Sequence, residues 1–179
     1  NSVNQKKSEP AGSFSAKLKQ KIIDPFLFSE HPPKHDALGT ALGLLVGFGF
    51  PLGLQWVSLG LFRMIFKFNI VLALALTWVN NPFTVGPMYY GYYLMGSAII
   101  GNSTGINSDR FLELMAPLFE AETFLDSLSG LAEIGSEIMI KWAIGASITG
   151  LLLGALGYVA TYYIQSHRQQ KREKMGDSS

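Results

Sequence analysis

The chain contains no cysteine, which excludes disulfides, thiolate nucleophiles and sulfur-ligated metals and leaves its redox compartment open. Charge is nearly absent from long stretches. Residues 37–101 carry only Arg63 and Lys67, and Trp142 to Ile164 carry none. Histidine is scarce as well: His31, His35 and His167 lie in polar flanks without metal-ligand spacing. No nucleophile motif or Walker-type phosphate loop occurs. These absences point away from an enzyme, and no metal or cofactor is expected. The net charge of +1 comes with basic residues placed beside apolar blocks, so nucleic acid is not an expected partner. Residues 1–36 lack the apolar core and cleavage site of a signal peptide.

Long apolar blocks fill the gaps between the charges. A run of 18 or more apolar residues reads as a membrane span, because crossing roughly 30 Å of hydrocarbon takes about 20 helical residues. On that basis the 179-residue chain is expected to be an all-α integral membrane protein with broken or re-entrant helices, one full C-terminal span and an interfacial amphipathic segment. The segments are a basic leader (1–36), a membrane core (37–101), an acidic amphipathic segment (102–137), a transmembrane helix (138–164) and a basic tail (165–179). Within the leader, residues 14–28 suit a short basic amphipathic helix. In the acidic segment, Asn107 or Ser108 can cap a helix, Phe111, Leu114 or Met115, Leu118, Leu125 and Leu128 follow helical spacing, and Pro117 kinks or restarts it.

The membrane core is interrupted twice. Pro51 with Gly53 divides the first block, and Asn81-Pro82 divides the second. In Asn80-Asn81-Pro82-Phe83-Thr84 the order is that of a helix start, with Asn81 as N-cap and Pro82 in the first helical position. The N–H groups of Phe83, Thr84 and Val85 would then point at the break and favour an anion. Paired interruptions in neighbouring apolar segments are a pattern that points to transporter binding sites. Gln55, Asn69, Asn80, Asn81 and Thr84 would line such a site, and Arg63 and Lys67 would supply its cations. The other reading is that the breaks only shape a bundle, with the Asn side chains capping backbone groups. Tyr89, Tyr90, Tyr92 and Tyr93, with Trp78, suit an interfacial belt.

Small residues recur every four positions at Gly39, Gly43 and Gly47, and again at Gly150 and Gly154. Such faces let helix backbones approach closely, within the chain or against another subunit. Lys6, Lys7, Lys17, Lys19, Lys21 and Lys34 precede the first block, and Arg168, Lys171, Arg172 and Lys174 follow the last. Both termini are therefore expected on the cytoplasmic side of a multi-pass protein. Residues 37–66 then form either a re-entrant hairpin turning at Pro51 or a kinked crossing.

The run "ALGTALGLLVGFGFPLGLQ", then Phe68-Asn69, then "TWVNNPFT" and the tyrosines resemble a bacterial family of small membrane proteins, domain of unknown function 2062. Pro51-Leu52-Gly53-x-Gln55 and Asn81-Pro82-x-Thr84, with Trp78 upstream, are its most specific elements. The resemblance implies a bacterial inner-membrane location and a shared core over residues 35–101, and brings no established activity. Some relatives are joined to glycosyltransferase-like domains, which hints at lipid-linked sugar metabolism. Two functions are expected: a non-enzymatic binding or transport module for an anionic lipid or lipid phosphate, or an accessory subunit of a larger complex. The expected partners are membrane lipids and homo- or hetero-oligomeric membrane proteins.

Overall fold

A computed structural model describes residues 32–51, 53–81, 83–101 and 106–176. Pro82 and the leader helix expected at 14–28 lie outside the described residues. Among those described, every regular element is a helix: α1 (Pro33–Gly49), α2 (Gln55–Ile65), α3 (Ile70–Thr77), α4 (Val85–Ile100), α5 (Ser108–Phe119), α6 (Phe124–Glu133) and α7 (Ser136–Gly176).

Helix α1 begins with Pro33 in its first turn, where the missing N–H is harmless. It ends at Phe50, which the following Pro51 forces into extended backbone (φ −119°, ψ 143°). Gly53, at φ 87°, then turns the chain in a conformation that favours glycine. Helix α2 runs back alongside α1. The Gln55 side-chain amide lies against the Gly47 carbonyl, and the Asn69 N–H bonds to the His35 carbonyl at 3.1 Å. Residues 33–69 are therefore a helical hairpin whose two ends lie side by side.

Helix α3 then runs parallel to α1. A Cβ at Gly39 would fall 2.6 Å from the Asn69 carbonyl oxygen, and one at Gly43 would fall 2.7 Å from the Ala73 backbone. Gly47 meets Thr77 and Val79 in the same way. The same sequence offset separates each pair, and it also separates the two breaks, which consequently lie at one level. Helix α7 runs antiparallel to α1, with Gly150 against Leu45 and Gly49, Gly154 against Ala41, and Gln165 against Asp36. The same helix packs antiparallel to α4, through Gly145 on the Tyr92 backbone and Gly96 on the Lys141 backbone. Both glycine faces foreseen in the sequence are thus filled by the chain's own helices.

Helix α7 has 41 residues, and its stretch Ser136–Lys171 is long and apolar enough to cross a membrane. It also serves as a ruler. From the Gln165 level to the Gly150–Ala146 level, where the hairpin turns, is roughly 25 Å at 1.5 Å per residue.

The acidic segment forms the α5–α6 pair. Asn107 caps α5 by accepting from the Arg110 N–H, and Thr123 with Asp126 closes a capping box on α6. Phe111, Met115 and Leu118 are buried, whereas Leu125 is exposed. Pro117 sits inside the last turn of α5 without breaking it. The tyrosines do not form a belt. Tyr89, Tyr92 and Tyr93 are buried against Trp142, Phe119 and Phe111, and only Trp78 faces outward. Gly96 and Gly145 draw α4 onto α7, and α5 closes over the exposed edge.

Replacing Gly43 with Leu would push its side chain into the α3 backbone, a loss on the order of 2 kcal/mol or more. Gly91 has open space where a Cβ would lie, so Gly91→Leu is expected to be neutral. Thermal unfolding of the detergent-solubilised protein should show a lower midpoint for Gly43→Leu alone. Equal midpoints would refute this packing scheme.

Candidate functional site

The second break supplies its own hydrogen bonds. Asn81 Oδ1 accepts from the Phe83 N–H (2.9 Å) and the Thr84 N–H (3.3 Å), and the Asn81 carbonyl accepts from the Val85 N–H (2.9 Å). The Thr84 hydroxyl donates to the Val79 carbonyl at 2.6 Å. Asn81 therefore closes a turn ahead of α4, which itself begins at Val85 with Thr84 in the N-cap position and no side-chain cap, so the helix start lies three residues beyond the cap expected at Asn81. The donors expected to be free at Phe83, Thr84 and Val85 are consumed locally. The turn uses up the groups that an anion would have needed.

The remaining expected site residues fall into two places. Gln55 and Asn80 are buried near the breaks, and Asn80 donates to the Tyr89 hydroxyl at 3.1 Å. Asn80 Oδ1, the Tyr92 hydroxyl and Trp142 Nε1 are buried without a hydrogen-bond partner among the described residues. Asn69, Arg63 and Lys67 sit at the other end of the hairpin. Helix α2 separates them from the breaks by about 15 Å. Arg63 is exposed, 3.4 Å from the Phe66 carbonyl and 5.9 Å from the centroid of the Phe68 ring. Lys67 is exposed.

Asn69 belongs to a buried cluster centred on Asp36, whose exposure is 0%. Asp36 Oδ1 accepts from Asn69 Nδ2 at 2.9 Å, and Oδ2 accepts from Gln165 Nε2 at 3.2 Å. His35 Nδ1 lies 3.6 Å from the same carboxylate. Asn69 also caps α3 through the Leu72 N–H. One turn along, the Thr161 and Thr40 hydroxyls meet at 3.0 Å. This carboxylate ties α1, α3 and α7 together at one end of the bundle. Neither Asp36 nor Gln165 was singled out from the sequence. The available signal was phase, since Asp36 lies one and two turns before Thr40 and Gly43.

Above this cluster, α1 and α7 enclose an open apolar groove of about 420 Å³, lined by Ala41, Leu45, Gly150, Gly154, Ala155 and Val159 among others. Small residues create the depression. Lys34, exposed, lies one heptad before Ala41 on the same face of α1. Arg168 follows on α7, so Lys34 and Arg168 lie about 10 and 13 Å along their helices beyond the lower end of the groove.

Asp36→Ala would leave the Asn69 and Gln165 amides facing a void, with a stability loss of about 2 kcal/mol or more. Asp36→Asn retains an acceptor and should lose less than half as much. Chemical denaturation in micelles distinguishes them, and equal losses would mean that the hydrogen bonds are not what holds this end.

No curated protein and no solved structure matches the chain. A family model described as an uncharacterised protein conserved in bacteria, DUF2062, matches residues 16–174. The match runs through both breaks, the Asp36 cluster and nearly all of α7: the chain belongs to the DUF2062 family.

Proposed function

We propose that this protein is a non-enzymatic, multi-pass component of the bacterial inner membrane that binds an anionic lipid or lipid phosphate. In this reading α1 and α2 form a re-entrant hairpin entered from the cytoplasm, α3 and α4 make one broken crossing, and α7 returns. The observation that carries the reading is the apolar groove between α1 and α7, with Lys34 and Arg168 about 10 and 13 Å beyond it towards the same end of the bundle. An acyl chain would lie along Ala41, Gly154 and Val159. The headgroup would meet Lys34 and Arg168, with Arg63 and Lys67 on the neighbouring hairpin adding positive potential.

This keeps the ligand class suggested by the sequence and moves its site from the breaks to the basic end. The breaks offer little to an anion, because Asn81 and Thr84 are occupied by their own backbone. The glycine faces are covered by α3 and α1, which leaves the acidic α5–α6 pair as the docking surface of an accessory role.

Binding of fluorescent phosphatidylglycerol to the purified protein is expected to exceed that of phosphatidylcholine. Lys34→Gln combined with Arg168→Gln should weaken it about tenfold or more, from ~1 kcal/mol per basic residue near a membrane surface. Filling the groove with Ala155→Trp should reduce binding of both lipids. Equal affinity for the two lipids, unchanged by the charge variants, would refute the proposal.

A further inference from the structure

The groove between α1 and α7 ends in a change of chemistry. Tyr158 lines its lower end, and the Tyr162 ring lies parallel to that of Tyr158 one turn further down α7, with centroids 6.1 Å apart. Tyr162 is 40% exposed, and neither tyrosine hydroxyl is hydrogen-bonded to another described residue. Between the two helices at this level, the Thr161 hydroxyl donates to that of Thr40 at 3.0 Å. Charge comes next. Arg168 follows Tyr162 by about 9 Å along α7, and Lys34 lies on the α1 face that carries Ala41.

This seam is therefore banded from apolar through hydroxyl to cationic. A glycerophospholipid is banded in the same order, from acyl chain through ester oxygens to phosphate. The spacing agrees as well. A bilayer measures about 30 Å across its hydrocarbon and about 40–45 Å with its headgroups, so each polar layer is roughly 5–8 Å deep. The arginine stem covers the rest of the distance from the hydroxyls to Arg168. A fatty acid does not fit this order, because its carboxylate ends the chain directly and would stop among the tyrosines, short of both bases. Resting on the lipid-binding reading above, we propose that Tyr158 and Tyr162 make the groove selective for a glycerophospholipid. Their hydroxyls donate to its ester oxygens while Lys34 and Arg168 meet its phosphate. An ordinary interfacial anchor would also place tyrosine at this depth, and Tyr163 supplies the comparison within the chain. It stands at the same level, 64% exposed, but packs edge-on against His167 and lies off the Tyr158 stack.

Titration of the purified protein with fluorescent phosphatidylglycerol separates the two tyrosines. Tyr162→Phe should weaken binding about fivefold, the loss of one hydrogen bond, and Tyr163→Phe should leave it unchanged. Thermal midpoints of both variants should match that of the wild type. Oleate, at an alkaline pH that keeps it ionised, should displace the bound probe about tenfold less well than unlabelled phosphatidylglycerol. Equal effects of the two phenylalanine variants would overturn the selective role and leave two interfacial anchors. A lower midpoint for Tyr162→Phe alone would assign the loss to folding and overturn the contact. Oleate competing as well as the phospholipid would overturn the ligand class. Each of these results leaves the lipid-binding reading standing, whereas no saturable binding of phosphatidylglycerol by the wild type would overturn that reading and this inference together.

Discussion

Backbone-to-backbone contact along α1 is the constraint from which the other placements follow. Gly39, Gly43 and Gly47 admit the α3 backbone on one side, while Gly150 and Gly154 on α7 admit the α1 backbone on another. Side chains at these positions would hold the helices apart and forfeit the backbone contact. Clamped twice, α1 fixes the heights of its neighbours. Its first turn places Asp36 between Asn69 and Gln165, and its last turn places the Pro51 break beside the α3 terminus and the middle of α7.

The second break is best understood through that clamp. Helix α3 must stay in register with α1 for as long as the glycine face lasts, and α4 must then reach the upper part of α7. Asn81 and Thr84 allow the chain to change course without stranding backbone donors, because their side chains accept from or donate to the neighbouring peptides. The polar capacity left over lies slightly deeper, at Asn80, Tyr92 and Trp142. It is enclosed by aromatic rings rather than opened to a groove. Architecture therefore accounts for Asn81 and Thr84.

Much of this was legible in the sequence, for identifiable reasons. Proline and asparagine act locally, so the breaks and the Asn107 cap could be placed from residue order alone, whereas α4 begins at Val85, beyond the cap expected at Asn81. The four-residue glycine period located the packing faces, although periodicity does not say which helix fills a face. What failed depended on contacts between distant segments. Four tyrosines near one another fit a belt as well as a core, and it takes the approach of α7 at Gly96 and Gly145 together with Phe111 and Phe119 of α5 to bury three of them. Leu125 continues a helical stripe in sequence, but α6 turns it outward. Asp36 looked like the charged end of a leader, because its partners lie 33 and 129 residues away.

Two independent lines place both ends of the α1–α2 hairpin at one end of the bundle. The first is geometric: Asn69 returns to His35, so residues 33–69 end where they began and add no net crossing. With α3–α4 going up and α7 coming down, Lys34 and the segment after Gln165 must share a side. The second is electrostatic. The hairpin returns Arg63 and Lys67 to the end that already holds Lys34, Arg168 and Lys171, while Asp109, Glu113 and Asp126 sit on the α5–α6 pair at the other end. In the membrane arrangement proposed above, a kinked crossing by residues 37–66 would carry Arg63 and Lys67 across, against the usual distribution of positive charge. Chain return and charge placement are different physical constraints, and the hairpin meets both.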